Sequence, residues 1–581
     1  MANLIEQAKQ NADQLLQEAY LAAAKAGELP EGASLNGTVE IPKDVQNGDF
    51  AANHAMVCAR ALHMPPRKIA EALAAHCGLA ESFFESVEVA GPGFINFRLS
   101  PRWYGNVLRA VCEEGMTYGH IDDGKGKRVN VEFVSANPTG PMHLGNARGG
   151  VLGDALASVL EEAGYSVWRE FYVNDAGNQI EKFAQSIRCR YIQLFRGEDA
   201  AVLPEDGYHG DDIRELAEKF RDQYGDSYLD RPEQECLAAM ARFGLDTNIP
   251  QMKKDLEKYG IHYDKWFLES SLHESGFVAD TVQRLADLGY TYEKDGALWL
   301  KTSEILREAY RKQGKTDEQI EKLELKDDVL QRANGYYTYF AADIAYHRNK
   351  LETRGFDWAI NIWGADHHGH VSRLKAALDA LGLDGENRLT VVLMQLVKLM
   401  RGNEVVRMSK RTGKMISLSN LLDEVPVDSA RYFFNSKAES PVEFDLDLAV
   451  RNDGENPVYY VKYAHARICT MLENLRRDGY EVPAFEAIQP EVLRMPEERS
   501  LIKKLAEFPD EIASAAQDLD TSRLNRYAKE LAGDFHKFYT DCRVKGAEES
   551  LLLARLYLSD ATRQVLASSL RMIGIKAPQK R

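Results

Sequence analysis

Between residues 128 and 173 the chain runs through a short apolar strand, a loop broken by two prolines, a long helix and a second strand. This succession narrows the possible folds more than any other feature. Val129–Val134 reads as the first strand, and Pro138 and Pro141 interrupt the loop. The spacing predicts a helix from about His143 to Ala163, ended by Gly164, and a second strand over Ser166–Val173. A βαβ unit of this kind builds a parallel sheet with a ligand crevice at the carboxyl ends of its strands. The strand pattern returns at Trp358–Trp363 and Leu389–Leu399. The intervening stretch from about Gly197 to Gln331 is charged and mostly helical in pattern, and reads as an insertion into the sheet.

A chain of 581 residues has room for about three or four domains. Helical patterning at Leu4–Ala24 and Pro66–His76 precedes an alternating strand over Gly93–Leu99, which suits an α+β unit. The polar, glycine-rich run Asp122–Lys127 reads as a linker. After Asn456 the pattern is helical throughout, with amphipathic segments at Val458–Arg476, Ser500–Ala516, Ser522–Tyr539 and Leu551–Ile573. The expected division is 1–120, 121–455 with an insertion at about 197–331, and 456–581.

Composition excludes several classes. No run of about 20 apolar residues is present, so no membrane span is expected, and the acidic, apolar-poor start does not read as a secretory signal. The seven cysteines include no C-x-x-C pair, which favours free thiols in a cytoplasmic protein and argues against a cysteine zinc site. The net charge of −17 weighs against non-specific coating of nucleic acid. From Asn456 onward, however, 20 Lys+Arg stand against 18 Asp+Glu, which permits an RNA partner at that end.

The first strand–helix turn reads Glu132-Phe133-Val134-Ser135-Ala136-Asn137-Pro138-Thr139-Gly140-Pro141-Met142-His143-Leu144-Gly145-Asn146. The positive end of the helix points at whatever lies beyond the sheet edge. Gly145 leaves room for a flat base, and His143 and Asn146, three apart on one helix face, can donate to phosphate oxygens. Taken alone, the same residues also read as a helix cap with a solvated histidine. A second basic stretch, Val405-Val406-Arg407-Met408-Ser409-Lys410-Arg411-Thr412-Gly413-Lys414, follows a hairpin whose turn lies near Gly402. It suits a loop that closes on a polyphosphate, or a solvated basic loop. Acidic groups could meet a guanidinium ion: Glu132 ends the first strand, and Tyr339 and Asp343 share a helix face in Tyr336–His347. Helix capping by Asp343 and core packing of Tyr339 are the alternatives.

His143-Leu144-Gly145-Asn146 resembles the HIGH signature of class I aminoacyl-tRNA synthetases, with asparagine in place of the commoner last histidine. Arg407-Met408-Ser409-Lys410 resembles the KMSK signature, about 260 residues downstream, with arginine for the first lysine. The E-F-x-S-x-N stretch, Tyr172–Gln179, the Tyr339/Asp343 segment and Trp363–His370 resemble the arginyl enzymes in particular. The resemblance implies an α/β fold: a Rossmann-like parallel-sheet catalytic domain, an α+β N-terminal domain and an all-α anticodon-binding domain. It implies a monomer that uses ATP with Mg²⁺ and takes arginine and tRNA, not DNA, as partners. His143, Asn146 and Lys410 would be catalytic. Gly145, Gly364, Asp366, His367, Arg407, Met408 and Ser409 would hold ATP, and Glu132, Asn137, Tyr339 and Asp343 the arginine. No resident metal is expected, although the histidines around His367 leave a metal site open as an alternative. Phe94 and Asn96 resemble a tRNA-elbow contact, and Tyr459 and Tyr463 an anticodon contact. The resemblance also implies that adenylate formation needs bound tRNA. Other class I synthetases and H-x-G-H nucleotidyltransferases remain alternatives, separated by amino-acid-dependent pyrophosphate exchange with tRNA present; an inactive RNA-binding paralogue is a further alternative, against which His143, Lys410, Glu132 and Asp343 together argue.

Overall fold

The computed structural model describes residues 3–406 and 416–580. At its centre is a five-stranded parallel sheet, built from β1 (Arg128–Glu132), β2 (Ser166–Val173), β3 (Lys265–Leu268), β4 (Trp358–Gly364) and β5 (Leu389–Met394). The order is β5-β4-β1-β2-β3, every pair parallel. Strand order reverses between β1 and β4, so the crevice lies beyond the carboxyl ends of those two strands. Helix α1 (Leu144–Glu162) follows β1 and helix α3 (His368–Ala380) follows β4, so both amino termini face the crevice; α2 (Tyr339–Arg348) precedes β4.

Helix α1 carries glycines at 145, 149, 150 and 153, each about 1 kcal/mol less favourable in a helix than alanine. Close packing against neighbouring side chains explains two of them. A Cβ on Gly153 would stand 2.1 Å from Cγ of Phe133, and one on Gly150 would stand 2.8 Å from Ile261.

Three sequence expectations change. The apolar run Leu389–Leu399 is two strands: after Met394 the chain leaves the parallel sheet, and Val397–Arg401 pairs with Glu404–Val405 and Val442–Asp445. Gln395 marks the break, its N–H donating to Ala438 O and its carbonyl accepting from Arg148. The stretch 197–331 is not wholly an insertion, because Lys265–Leu268 returns to the sheet as its edge, with Trp266 stacked on Phe171 at 4.1 Å. Its last part is a three-stranded antiparallel sheet, turned at Asp295-Gly296 with both φ positive, the two-residue hairpin signal that the Asp-Gly pair carries. Ser500–Ala516 is two helices, Pro496–Ala506 and Phe508–Asp518, because Pro509 is tolerated only in the first turn of a helix. The other C-terminal segments form long helices, Pro457–Arg477, Ser522–Asp541 and Glu549–Met572. The N-terminal unit is a four-stranded antiparallel sheet with helices.

Candidate active site

The chain leaves β1 through a γ-turn. Val134 has φ +70°, Ser135 has φ +40°, and Ser135 N–H donates to Phe133 O at 3.0 Å. A β-branched residue at positive φ is strained by about 1–3 kcal/mol, a cost met where the backbone must aim side chains. The turn sets Ser135 Oγ between two strands: it donates to Glu132 Oε1 (2.9 Å) and accepts from Tyr172 N–H (3.1 Å).

His143 is the N-cap of α1 and so precedes the helix instead of lying on its face. Its Nδ1 accepts from Gly145 N–H at 3.1 Å, which leaves the proton of the neutral ring on Nε2. Partial desolvation lowers its pKa and favours that neutral form. Asn146 Oδ1 accepts from His143 N–H at 2.9 Å, so its NH₂ group is the end left to face outward. The cap and the donor roles therefore coexist. A Cβ on Gly145 would stand 3.0 Å from the His143 ring, so the glycine also seats the histidine.

The opposite wall is acidic. Tyr339 and Asp343 project from α2, which Thr338 caps, so Asp343 is not the cap. Asp343 Oδ2 meets His370 Nε2 at 2.8 Å, and Tyr339 is 39% exposed. Sequence reasoning missed Glu269, which sits just past β3 and is 3% exposed. Tyr172 donates to its Oε2 at 2.8 Å and His273 lies 3.4 Å from Oε1; burial raises its pKa, with Asp343 adding to the rise. Glu132 is buried, with Lys350 Nζ 2.6 Å from its Oε2. His347 donates through Nδ1 to Asp343 O (2.8 Å) and accepts at Nε2 from Asn361 (2.7 Å); burial pushes its pKa down to about 3.

A single cavity of about 910 Å³ is lined by Glu132, Asn137, His143, Gly145, Asn146, Tyr339, Asp343, Gly364, Asp366 and His367, together with Tyr172, Glu269, His347 and His370. Arg407, Met408, Ser409 and Lys410 lie outside the described residues. The chain on either side of them is fixed: Val405 pairs with Met400, and Ser417 bridges to His143. Phe94 and Asn96 line a separate 480 Å³ pocket on the N-terminal unit, where Asn96 Oδ1 is buried without a hydrogen-bond partner among the described residues. Tyr459 and Tyr463 are half-buried, stack at 5.9 Å and line a 340 Å³ pocket between the C-terminal helices and the sheet domain. Among the described residues no group of three or more His, Cys, Asp or Glu side chains is arranged to hold a metal ion, and no helix is long and apolar enough to cross a membrane.

Comparison with known proteins identifies the family. The family model of the class I (R) tRNA synthetase catalytic domain matches residues 108–445, that of the arginyl tRNA synthetase N-terminal domain residues 6–99, and that of the DALR anticodon binding domain residues 461–580. The arginine–tRNA ligase of Caldanaerobacter subterraneus subsp. tengcongensis is 52% identical over 581 residues, covering 100% of both chains. That of Acetivibrio thermocellus is 48% identical over 581 residues, again covering 100% of both. The crystal structure of a putative arginyl-tRNA synthetase from Campylobacter jejuni superposes with TM-score 0.72 at 31% identity, covering 83% of this chain and 100% of that one. The Thermus thermophilus arginyl-tRNA synthetase shares the fold, with TM-score 0.70 at 22% identity over 98% of this chain and 100% of its own. The chain belongs to the arginyl-tRNA synthetases of class I.

Proposed function

We propose that the cavity carries out both steps of arginine ligation to tRNA, with its two walls dividing the work. The supporting observation is that one cavity joins neutral donors at a helix amino terminus to a cluster of three carboxylates. The guanidinium lies between Asp343, Glu269 and Tyr339, with Glu132 behind it, because a fork of donors needs carboxylate acceptors. Asn137 holds the arginine backbone. The arginine carboxylate attacks the α-phosphorus of ATP; the new O–P bond forms as the bond to pyrophosphate breaks. His143 Nε2–H, the Asn146 amide and Lys410 donate to oxygens on which charge grows. Gly145, Gly364, Asp366, His367, Arg407, Met408 and Ser409 hold the nucleotide. Mg²⁺, which prefers phosphate oxygens and water to an all-protein cage, would ride on the triphosphate and neutralise it. The 2′-hydroxyl of the terminal adenosine then attacks the acyl carbon and releases AMP.

Phe94 and Asn96 would take an unpaired base at the tRNA elbow, and Tyr459 and Tyr463 bases at the anticodon. The protein works as a monomer in the cytoplasm, consistent with seven free cysteines. Binding at these distant sites is coupled to adenylate formation. The experiment is aminoacylation with each of the twenty amino acids, together with pyrophosphate exchange with and without tRNA. Charging by arginine alone, and exchange that appears only with tRNA, is expected. Charging by another amino acid overturns the reading of the acidic wall, and equal exchange in both conditions overturns the coupling.

A further inference from the structure

Lys350 is fully buried, an unusual place for an ammonium ion. It lies in a π-helical turn, Asn349–Thr353, that continues α2. Such turns add a residue and rotate the side chains that follow. Its Nζ stands 2.6 Å from Glu132 Oε2 and 3.1 Å from Asn361 Oδ1, and 4.3 Å from the centre of the Tyr346 ring. Glu132, Tyr346 and His347 line the cavity, whereas Lys350 and Asn361 do not. One ammonium thus supports three lining groups from behind: Glu132 by an ion pair, Tyr346 by its ring face, and His347 through the Asn361 amide.

The register of the sheet explains why a cation is needed there. Glu132 on β1 faces Glu170 on β2 and Asn361 on β4 as direct neighbours. Two buried carboxylates side by side, with Asp343 and Glu269 beyond them, would repel one another. Arg354 meets Glu170 with both arms of its guanidinium, and Lys350 meets Glu132. Among the described residues, Asp343 and Glu269 are the two of these four carboxylates without a lysine or arginine partner; their charged or titratable partners there are His370, His273 and Tyr172.

We propose that Lys350 is a positioning residue for arginine selection: without touching the substrate, it holds Glu132 in place as the rear wall of the guanidinium pocket. This rests on the reading of the acidic wall given above.

The test uses full-length protein with Lys350→Met, Glu132→Gln and the double variant, assayed by steady-state aminoacylation with KM measured separately for arginine, ATP and tRNA. Lys350→Met should raise the arginine KM at least about tenfold, since it strips one partner from a desolvated charge pair, and leave the ATP and tRNA KM within about twofold. In the Glu132→Gln background the same substitution should add less than about twofold, because its effect passes through Glu132. The double variant leaves no carboxylate stripped of its cation and is the decisive protein if Lys350→Met alone does not fold. If the double variant binds arginine about tenfold more weakly than Glu132→Gln, Lys350 acts independently of Glu132 and the proposal falls. It also falls if a folded Lys350→Met keeps the parental arginine KM, or loses arginine, ATP and tRNA together. Asp343→Asn measured alongside separates this from failure of the pocket reading: an unchanged arginine KM there moves the guanidinium site elsewhere, whatever Lys350 does.

Discussion

The two ends of the cavity are built by opposite means. The end at α1 is built on one continuous stretch, Asn137 to Asn146, and its donors among the described residues are neutral: a capping histidine, a capping amide and the helix amino terminus. The acidic end gathers Glu132, Tyr172, Glu269, Tyr339 and Asp343 from strands and helices far apart in sequence. It is held by the buried Lys350, by the half-buried Arg354 and by tyrosine and histidine hydrogen bonds. Neutral donors fixed by backbone geometry can follow charge that appears only in a transition state without trapping the charged reactants. A cationic side chain that must be selected before reaction needs fixed opposite charge, and fixed buried charge needs counter-ions behind it.

This contrast orders the expected effects. Lys410→Ala should lower the kcat of tRNA-supported pyrophosphate exchange at least about a hundredfold, the usual consequence of losing a transition-state donor. An unchanged kcat would remove Lys410 from the reaction. Glu269→Gln keeps an acceptor for Tyr172 but deletes a charge from the acidic end. Removing one of a desolvated pair costs about 2–5 kcal/mol, so the arginine KM should rise at least about thirtyfold with little change for ATP. Equal rises for both would make Glu269 a structural carboxylate.

Asn146→Asp separates the two roles at the α1 end. The acceptor that caps His143 N–H survives, so thermal unfolding should shift by no more than a few degrees, while kcat should fall about tenfold or more as the donor is lost. A variant with parental kcat would show that the amide serves only as a cap.

Titration gives subtler differences. Burial holds the Glu269 carboxyl above the ordinary carboxylate range, and its charged form is the one that meets arginine. The arginine KM should therefore climb as pH falls toward that raised value, before ordinary carboxylates protonate, and Glu269→Gln should abolish the climb. His347, buried neutral with a pKa near 3 against 6.5 when unfolded, takes up its proton only on unfolding across that window. Stability should be full above pH 6.5 and decline as pH falls toward 3. His347→Gln should flatten this slope in chemical denaturation series, and an unaltered slope would place the acid sensitivity elsewhere.

The same contrast explains what could be read from the sequence. The helix Leu144–Glu162 and strand Ser166–Val173 follow local periodicity, and the residues at the α1 end come with them because they are contiguous. Tyr339 and Asp343 were legible as a helix-face pair. Glu269 was not, because it follows a strand of only four residues inside a charged stretch that otherwise reads as helical. Lys350 was not, because a lysine past the end of a helix reads as solvated, and only the π-turn and the Glu132–Asn361 register turn it inward. The division of Leu389–Leu399 was hidden because Gln395 is pinned by Arg148, a contact 247 residues away in sequence.

The most direct measurement is the pair of KM values for arginine and ATP in Asp343→Asn. The substitution keeps shape and removes one negative charge from the acidic end while leaving His143 and Asn146 untouched. The arginine KM should rise steeply, by the equivalent of about 2–5 kcal/mol, with the ATP KM little changed. A parallel rise in both, or in neither, would contradict the division of the cavity into an arginine-selecting end and a phosphate-handling end.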